Sequence, residues 1–167
     1  MIISNSSPLI YLAKIQKLEL LRNLFKEIII PKEVYNEVSK GKEEKYIDAF
    51  IIERAATNGW IKVKEVGIDK EIERFASEID LGEVAVISLA KKLNPSLILI
   101  DDASGRAIAE SFGFNAKGTL YVLLKAYKKK LINKKEIKEL VNKLIFSGFR
   151  VSQEIYIKLM EQIDKYL

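Results

Sequence analysis

Four consecutive large apolar residues, Leu97-Ile98-Leu99-Ile100, run directly into two adjacent acids, Asp101-Asp102, and follow the breaker Asn94-Pro95. An apolar run this short, with β-branched members and no polar alternation, predicts a strand buried on both faces, the condition of a parallel sheet covered by helices. In an open sheet of that kind, ligands collect beyond the carboxyl ends of the strands, so the acids stand where chemistry is expected. Taken alone, the pair also has a plain structural account. Asp102 suits the N-cap of a helix from Ala103, and Asp101 would be solvated in the loop.

The rest of the chain repeats the pattern. Strands are predicted at Met1 to Ser4, Glu27 to Ile30, Ile61 to Lys64, Leu97 to Ile100 and Asn115 to Lys117. The alternating Ile61 to Lys64 segment suits an edge. Helices are predicted between them: from a Ser7 cap with Pro8 at the first helical position, over Leu18 to Phe25, from Pro31 onward, over Glu44 to Asn58, over Asp69 to Ser77, from Asp80 and from Ala103 to Phe112. Three more helical stretches follow, Leu120 to Lys130, Lys135 to Phe146 and Gln153 to Tyr166. Alternation of this kind predicts a three-layer α/β/α fold around a mainly parallel sheet. A length of 167 residues, 49% of them hydrophobic, predicts one domain spanning 1–167, with a helical C-terminal extension from about residue 119.

The chain contains neither cysteine nor histidine. That excludes thiol nucleophiles, disulfides, Cys/His zinc sites and imidazole general bases, and leaves carboxylates, hydroxyls, lysine, tyrosine or a hard metal for chemistry. Oxygen donors suit Mg²⁺ or Mn²⁺. The start Met1-Ile2-Ile3-Ser4-Asn5 carries no basic leader and no apolar run reaches the roughly 18 residues of a membrane span, which predicts a cytoplasmic chain with no membrane partner.

Helices of such a sheet run antiparallel to its strands, so helix starts and strand ends share one edge. Asn5, Asp101 and Asp102 end strands there, and Asp80 or Glu83 lies in the first turn of a helix. Glu37 sits further along its helix. Each acid has an ordinary reading, Glu37 as a surface charge and Asp80 with Glu83 as a capping box. Gathered together, carboxylates raise one another's pKa unless a cation neutralises them.

The net charge is +5, and Lys125, Lys128, Lys129, Lys130, Lys134, Lys135, Lys138 and Lys143 crowd one segment. A solvated helical face accounts for such a run, as does a phosphate track, for which Lys125, Lys128, Lys129 and Lys130 are the candidates.

The order Ser4-Asn5-Ser6-Ser7, Val34-Tyr35-Asn36-Glu37, Glu83-Val84-Ala85-Val86-Ile87-Ser88-Leu89-Ala90 and Ile100-Asp101-Asp102 resembles the PIN domain, a family of metal-dependent ribonucleases that includes the VapC-type toxins of toxin–antitoxin pairs. Ser7-Pro8-Leu9-Ile10, Gly118-Thr119-Leu120 and Gly148-Phe149-Arg150 resemble a prokaryotic PIN-like subgroup over nearly the whole chain. The resemblance implies an endoribonuclease using Mg²⁺ or Mn²⁺, with metal positions at Asn5, Glu37, Glu83 and Asp102 or Asp101. Glu37, Glu83, Asp101 and Asp102 would be catalytic, and Ser7 a supporting hydroxyl. Implied partners are RNA, an antitoxin protein and a second copy of the chain. Active members usually carry aspartate where this chain has Asn5, whose amide oxygen brings no charge. A non-catalytic module binding RNA or protein is therefore the alternative. A receiver-like phosphate-handling domain fits less well, because it needs an acidic pair on the first strand.

Overall fold

The computed structural model describes residues 1–166. Five strands, β1 (Ile2–Ser4), β2 (Ile28–Pro31), β3 (Ile61–Lys64), β4 (Leu97–Leu99) and β5 (Ala116–Lys117), form one sheet in the order β3-β2-β1-β4-β5 with every pairing parallel. In register, Ile2, Ile3 and Ser4 face Leu97, Ile98 and Leu99. The inner strands β2, β1 and β4 are buried along their whole length because helices cover both faces, and Ile3, Ile98 and Leu99 are fully buried. β3, with only Ile61 buried, is the edge its alternation predicts.

Helices α1 (Ser6–Lys14) and α2 (Glu19–Phe25) connect β1 to β2, and α3 (Lys32–Glu43) and α4 (Ile47–Thr57) connect β2 to β3. After β3 come α5 (Lys70–Glu73) and α6 (Leu81–Leu93), then α7 (Ala103–Ser111) between β4 and β5, and finally α8 (Thr119–Lys128), α9 (Lys134–Phe146) and α10 (Gln153–Lys165). The chain steps outward from β1 to β3 on one side and resumes at β4 on the other. The order therefore reverses between β1 and β4, and their carboxyl ends open the crevice where α/β proteins bind ligands.

Many predicted boundaries move by a residue or two, and three shifts have a local cause. The first helix begins at Ser6 with Asn5 as N-cap, so Pro8 is its third residue and not its first. The predicted Glu44 to Asn58 helix starts only at Ile47, because Lys45 takes a left-handed φ of 61° and turns the chain between α3 and α4. The Asp69 to Ser77 helix keeps only α5. Beyond it Phe75 donates to Ile72 and Ala76 to Glu73, the tighter i→i+3 pattern. One cluster of buried apolar side chains extends from Ile2 to Ile163, so α8, α9 and α10 share the core of the sheet. Among the described residues no helix is long and apolar enough to cross a membrane.

Candidate metal centre

Asn5 closes β1 and caps α1 through its backbone, at φ −78° and ψ 173°, yet its side chain makes no capping bond. An Asn cap normally accepts from the N–H of the second or third helical residue. Here the third is Pro8, which has no N–H, so the sequence removes one of the two donors. The buried Asn5 Oδ1 is left without a hydrogen-bond partner. It faces Gly82 in the first turn of α6: a β-carbon built on Gly82 would lie 3.1 Å from Asn5 Oδ1, 3.0 Å from Glu37 Oε2 and 3.3 Å from Asp80 Oδ1. Oxygens from β1, α3 and the cap of α6 thus converge over a residue with no side chain.

Glu83 adjoins this cradle and is itself buried, 3% exposed. Asp80 and Glu83 form the capping box their spacing predicts, with Glu83 N–H donating to Asp80 Oδ1 at 2.8 Å and Asp80 N–H donating to Glu83 Oε2 at 3.0 Å. The other carboxylate oxygen, Oε1, lies 2.8 Å from where a β-carbon on Gly105 would stand. Burial pushes the Glu83 carboxyl up to about 7, opposed by the Asp80 N–H and reinforced by the charges of Asp80, Asp102 and Glu37. Glu37 is exposed as a residue, but the desolvation of its carboxyl end and then Asp80 raise its pKa as well, against the Ser6 hydroxyl and Lys40. Gly82 and Gly105 both occupy first turns of helices, where glycine is a poor helix former. Their lack of a side chain is what lets the acids approach. Gly105→Ala is expected to lower stability by about 1–3 kcal/mol in denaturant unfolding, despite alanine's better helix propensity, because the new methyl meets Glu83 Oε1 and Ile100 Cγ2. An unchanged midpoint would mean that the contact relaxes freely.

The structure separates the two acids after β4. Asp102 is the N-cap of α7, its Oδ2 accepting from Gly105 N–H at 3.0 Å, and its charge acts on Glu83. Asp101 is not solvated in the loop: Oδ2 accepts from Ser7 Oγ at 2.8 Å and Thr119 Oγ1 at 2.7 Å, and Oδ1 accepts from Thr119 N–H at 2.7 Å. Asp101 therefore ties the start of α1 to the start of α8, with Ser7 donating to it. Arg106 donates to the carbonyls of Ile100 and Asp101 and holds a positive charge beside the strand end. Sequence reasoning places Asp80 at this edge as an alternative to Glu83, has Thr119 only within a family motif and misses Arg106.

Among the described residues, no three Asp or Glu carboxylates stand close enough together to hold a metal ion as they are. The capping N–H groups account for this, since they hold one oxygen each of Asp80, Glu83 and Asp102. The donor chemistry nevertheless fits a hard divalent cation: every donor is oxygen, one is a buried amide oxygen lacking a partner, and Gly82 leaves room before it.

Of the lysines expected to track phosphate, Lys125, Lys128 and Lys129 line one groove, while Lys130 follows the end of α8 with a left-handed φ of 60° and lines a separate hollow with Asn133 and Lys134. Lys130 thus lies apart from the groove that the other three line.

A family model described as a PIN domain matches residues 1–165. The chain belongs to the PIN domain family. No curated protein and no solved structure matches it. Membership agrees with the all-parallel sheet and assigns the PIN domain a nuclease-type role in general, in a family that works with divalent metal ions.

Proposed function

We propose that this PIN domain is a Mg²⁺- or Mn²⁺-dependent endoribonuclease. The observation that carries the reading is the convergence of the unpartnered Asn5 Oδ1 with Glu37 and Asp80 over Gly82, next to a buried Glu83 that burial and neighbouring acids hold protonated too readily. Asn5, Glu37, Glu83 and Asp102 would hold the cation. When bound, it supplies charge neutralisation for the acids and activation of water for in-line displacement at phosphorus. The chain itself needs no side-chain nucleophile, which agrees with the lack of histidine and cysteine. Asp101 positions the site by fixing the first turns of α1 and α8 against each other, and Arg106 sets a cation where the phosphate chain would pass. Pairing with an antitoxin is the cellular role this reading favours, and a short DNA-binding partner encoded beside the chain would support it.

The test is a titration with Mn²⁺ followed by calorimetry and melting, with cleavage of single-stranded RNA read alongside. Binding to the native state alone raises stability by about 2.7 kcal/mol at a hundredfold excess over Kd. Equal melting in Mn²⁺ and in chelator, with no heat of binding, would remove the metal from the reading. The second reading, a binding module without turnover, draws on the neutral Asn5 and on the absence of a ready-made three-carboxylate set among the described residues. RNA that binds and stays intact in saturating Mn²⁺ would favour it.

A further inference from the structure

The lysines of the C-terminal helices divide into two groups. On α9, Lys134 and Lys138 both reach Asp164 of α10, at 3.1 and 3.0 Å, and Lys135 lies 4.0 Å from Glu139. Those charges are answered within the fold. Lys117 at the end of β5 and Lys125, Lys128 and Lys129 on or just after α8 make no salt bridge among the described residues, yet all four line one groove of about 710 Å³ between α8 and α10. Its fifth lysine, Lys158, is paired with Glu154 at 2.9 Å, and no acid lines the groove among the described residues.

Like charges set side by side repel unless something outside the fold compensates them. Tyrosine rings hold these lysines in place without cancelling their charge. Lys117 Nζ and Lys125 Nζ lie 5.9 and 5.6 Å from the centre of the Tyr121 ring, and Lys128 Nζ lies 5.8 Å from that of Tyr166. The groove also runs on toward the carboxyl end of β4, where Asp101 is the neighbour in sequence of Asp102. A smaller cavity of about 190 Å³, lined by Asp101, Arg106, Thr119 and Arg150, shares Leu120, Tyr121 and Ile155 with it.

We infer that the α8–α10 groove binds the backbone of a single RNA strand as it leaves the metal centre, with Lys117, Lys125 and Lys128 on its phosphates. The inference rests on the ribonuclease reading for the identity of the strand, and on the unpaired lysines and the shared cavity for its path. Charge complementarity selects a polyanion, and a path that leads through Arg106 and Arg150 toward the strand end carrying Asp101 and Asp102 selects RNA over an acidic protein segment.

The experiment measures binding of a fluorescent single-stranded RNA by the full chain in chelator, over a series of salt concentrations. For single strands the logarithm of affinity falls against the logarithm of salt with a slope of about −0.7 per phosphate neutralised. Lys125→Gln with Lys128→Gln should flatten the slope by about 1.4, and Lys117→Gln by about 0.7. Lys135→Gln with Lys143→Gln removes the same net charge from α9 and should leave the slope unchanged, with melting curves confirming that each variant is folded. An unaltered slope in the groove variants, or an equal loss in the α9 control, overturns the proposal. So does a polyglutamate peptide that binds the groove more tightly than RNA. Because binding is read without metal, RNA that is held but never cleaved upholds the groove and overturns only the nuclease reading.

Discussion

Glu83→Gln is expected to raise the metal-free stability of the protein at neutral pH and, on the ribonuclease reading, to slow RNA cleavage steeply in the same variant. The carboxyl of Glu83 ionises near 4.5 in an unfolded chain and at about 7 when folded, chiefly because it is buried and then because Asp80, Asp102 and Glu37 surround it. Between those values the folded state keeps a proton that the unfolded state gives up. Its contribution is therefore fully present below pH 4.5 and is lost as pH rises through about 7, by on the order of 3 kcal/mol. Glu37 shifts in the same direction and deepens the loss. The acids held low by lysine partners, Glu27, Asp69, Glu136 and Asp164, are exposed or nearly so and lose their small contribution only at more acidic pH. Glutamine keeps an oxygen for the Asp80 N–H, so the capping box survives while the buried charge does not. In chelator the variant should lose less melting temperature than the parent across this window, the remainder coming from Glu37, and should lie above the parent at its neutral end. In saturating Mn²⁺ it should cleave RNA at least about a hundredfold more slowly, since even an outer partner of a metal site is worth tenfold to a hundredfold. A parent whose melting ignores pH between 4.5 and 7 would show that Glu83 is not desolvated as the structure has it. A variant that cleaves like the parent would take Glu83 out of the centre.

Asn5→Asp should change stability with opposite signs with and without metal. The substitution preserves size and shape but puts a negative charge at a residue 4% exposed, facing Glu37 and Asp80 across Gly82. Without a cation the new carboxylate stands where the amide oxygen already lacks a donor, and the loss is on the order of 3 kcal/mol, the scale of an uncompensated buried charge. With a cation the sign reverses. Unit charges about 4 Å apart attract by about 4 kcal/mol at an effective dielectric of 20, of which dehydration and crowding take a share, so affinity for Mn²⁺ should rise tenfold or more. Paired melts in chelator and in Mn²⁺ decide it. The same shift under both conditions would mean that Asn5 faces no cation.

What could be read from the residues alone was local. A buried strand announces itself by an unbroken apolar run, an edge strand by alternation, and strands alternating with helices imply the parallel sheet. The capping box of Asp80 and Glu83 and the Asp102 cap are legible for the same reason, because the bonds close within one helical turn and depend only on spacing. The family resemblance was legible through the order of short motifs along the chain. Tertiary packing decided the rest. Adjacent residues on an extended segment point to opposite sides, and only the docking of α1 and α8 shows that Asp101 meets Ser7 and Thr119 while Asp102 meets the Glu83 side. Asn5 is free because α1 starts one residue after it, a boundary that periodicity does not resolve to the residue. Of the lysines in one stretch of sequence, Lys134 and Lys138 on α9 became paired and those on α8 unpaired because Asp164 arrives from α10, and a charge is neutralised by what lies near it in space.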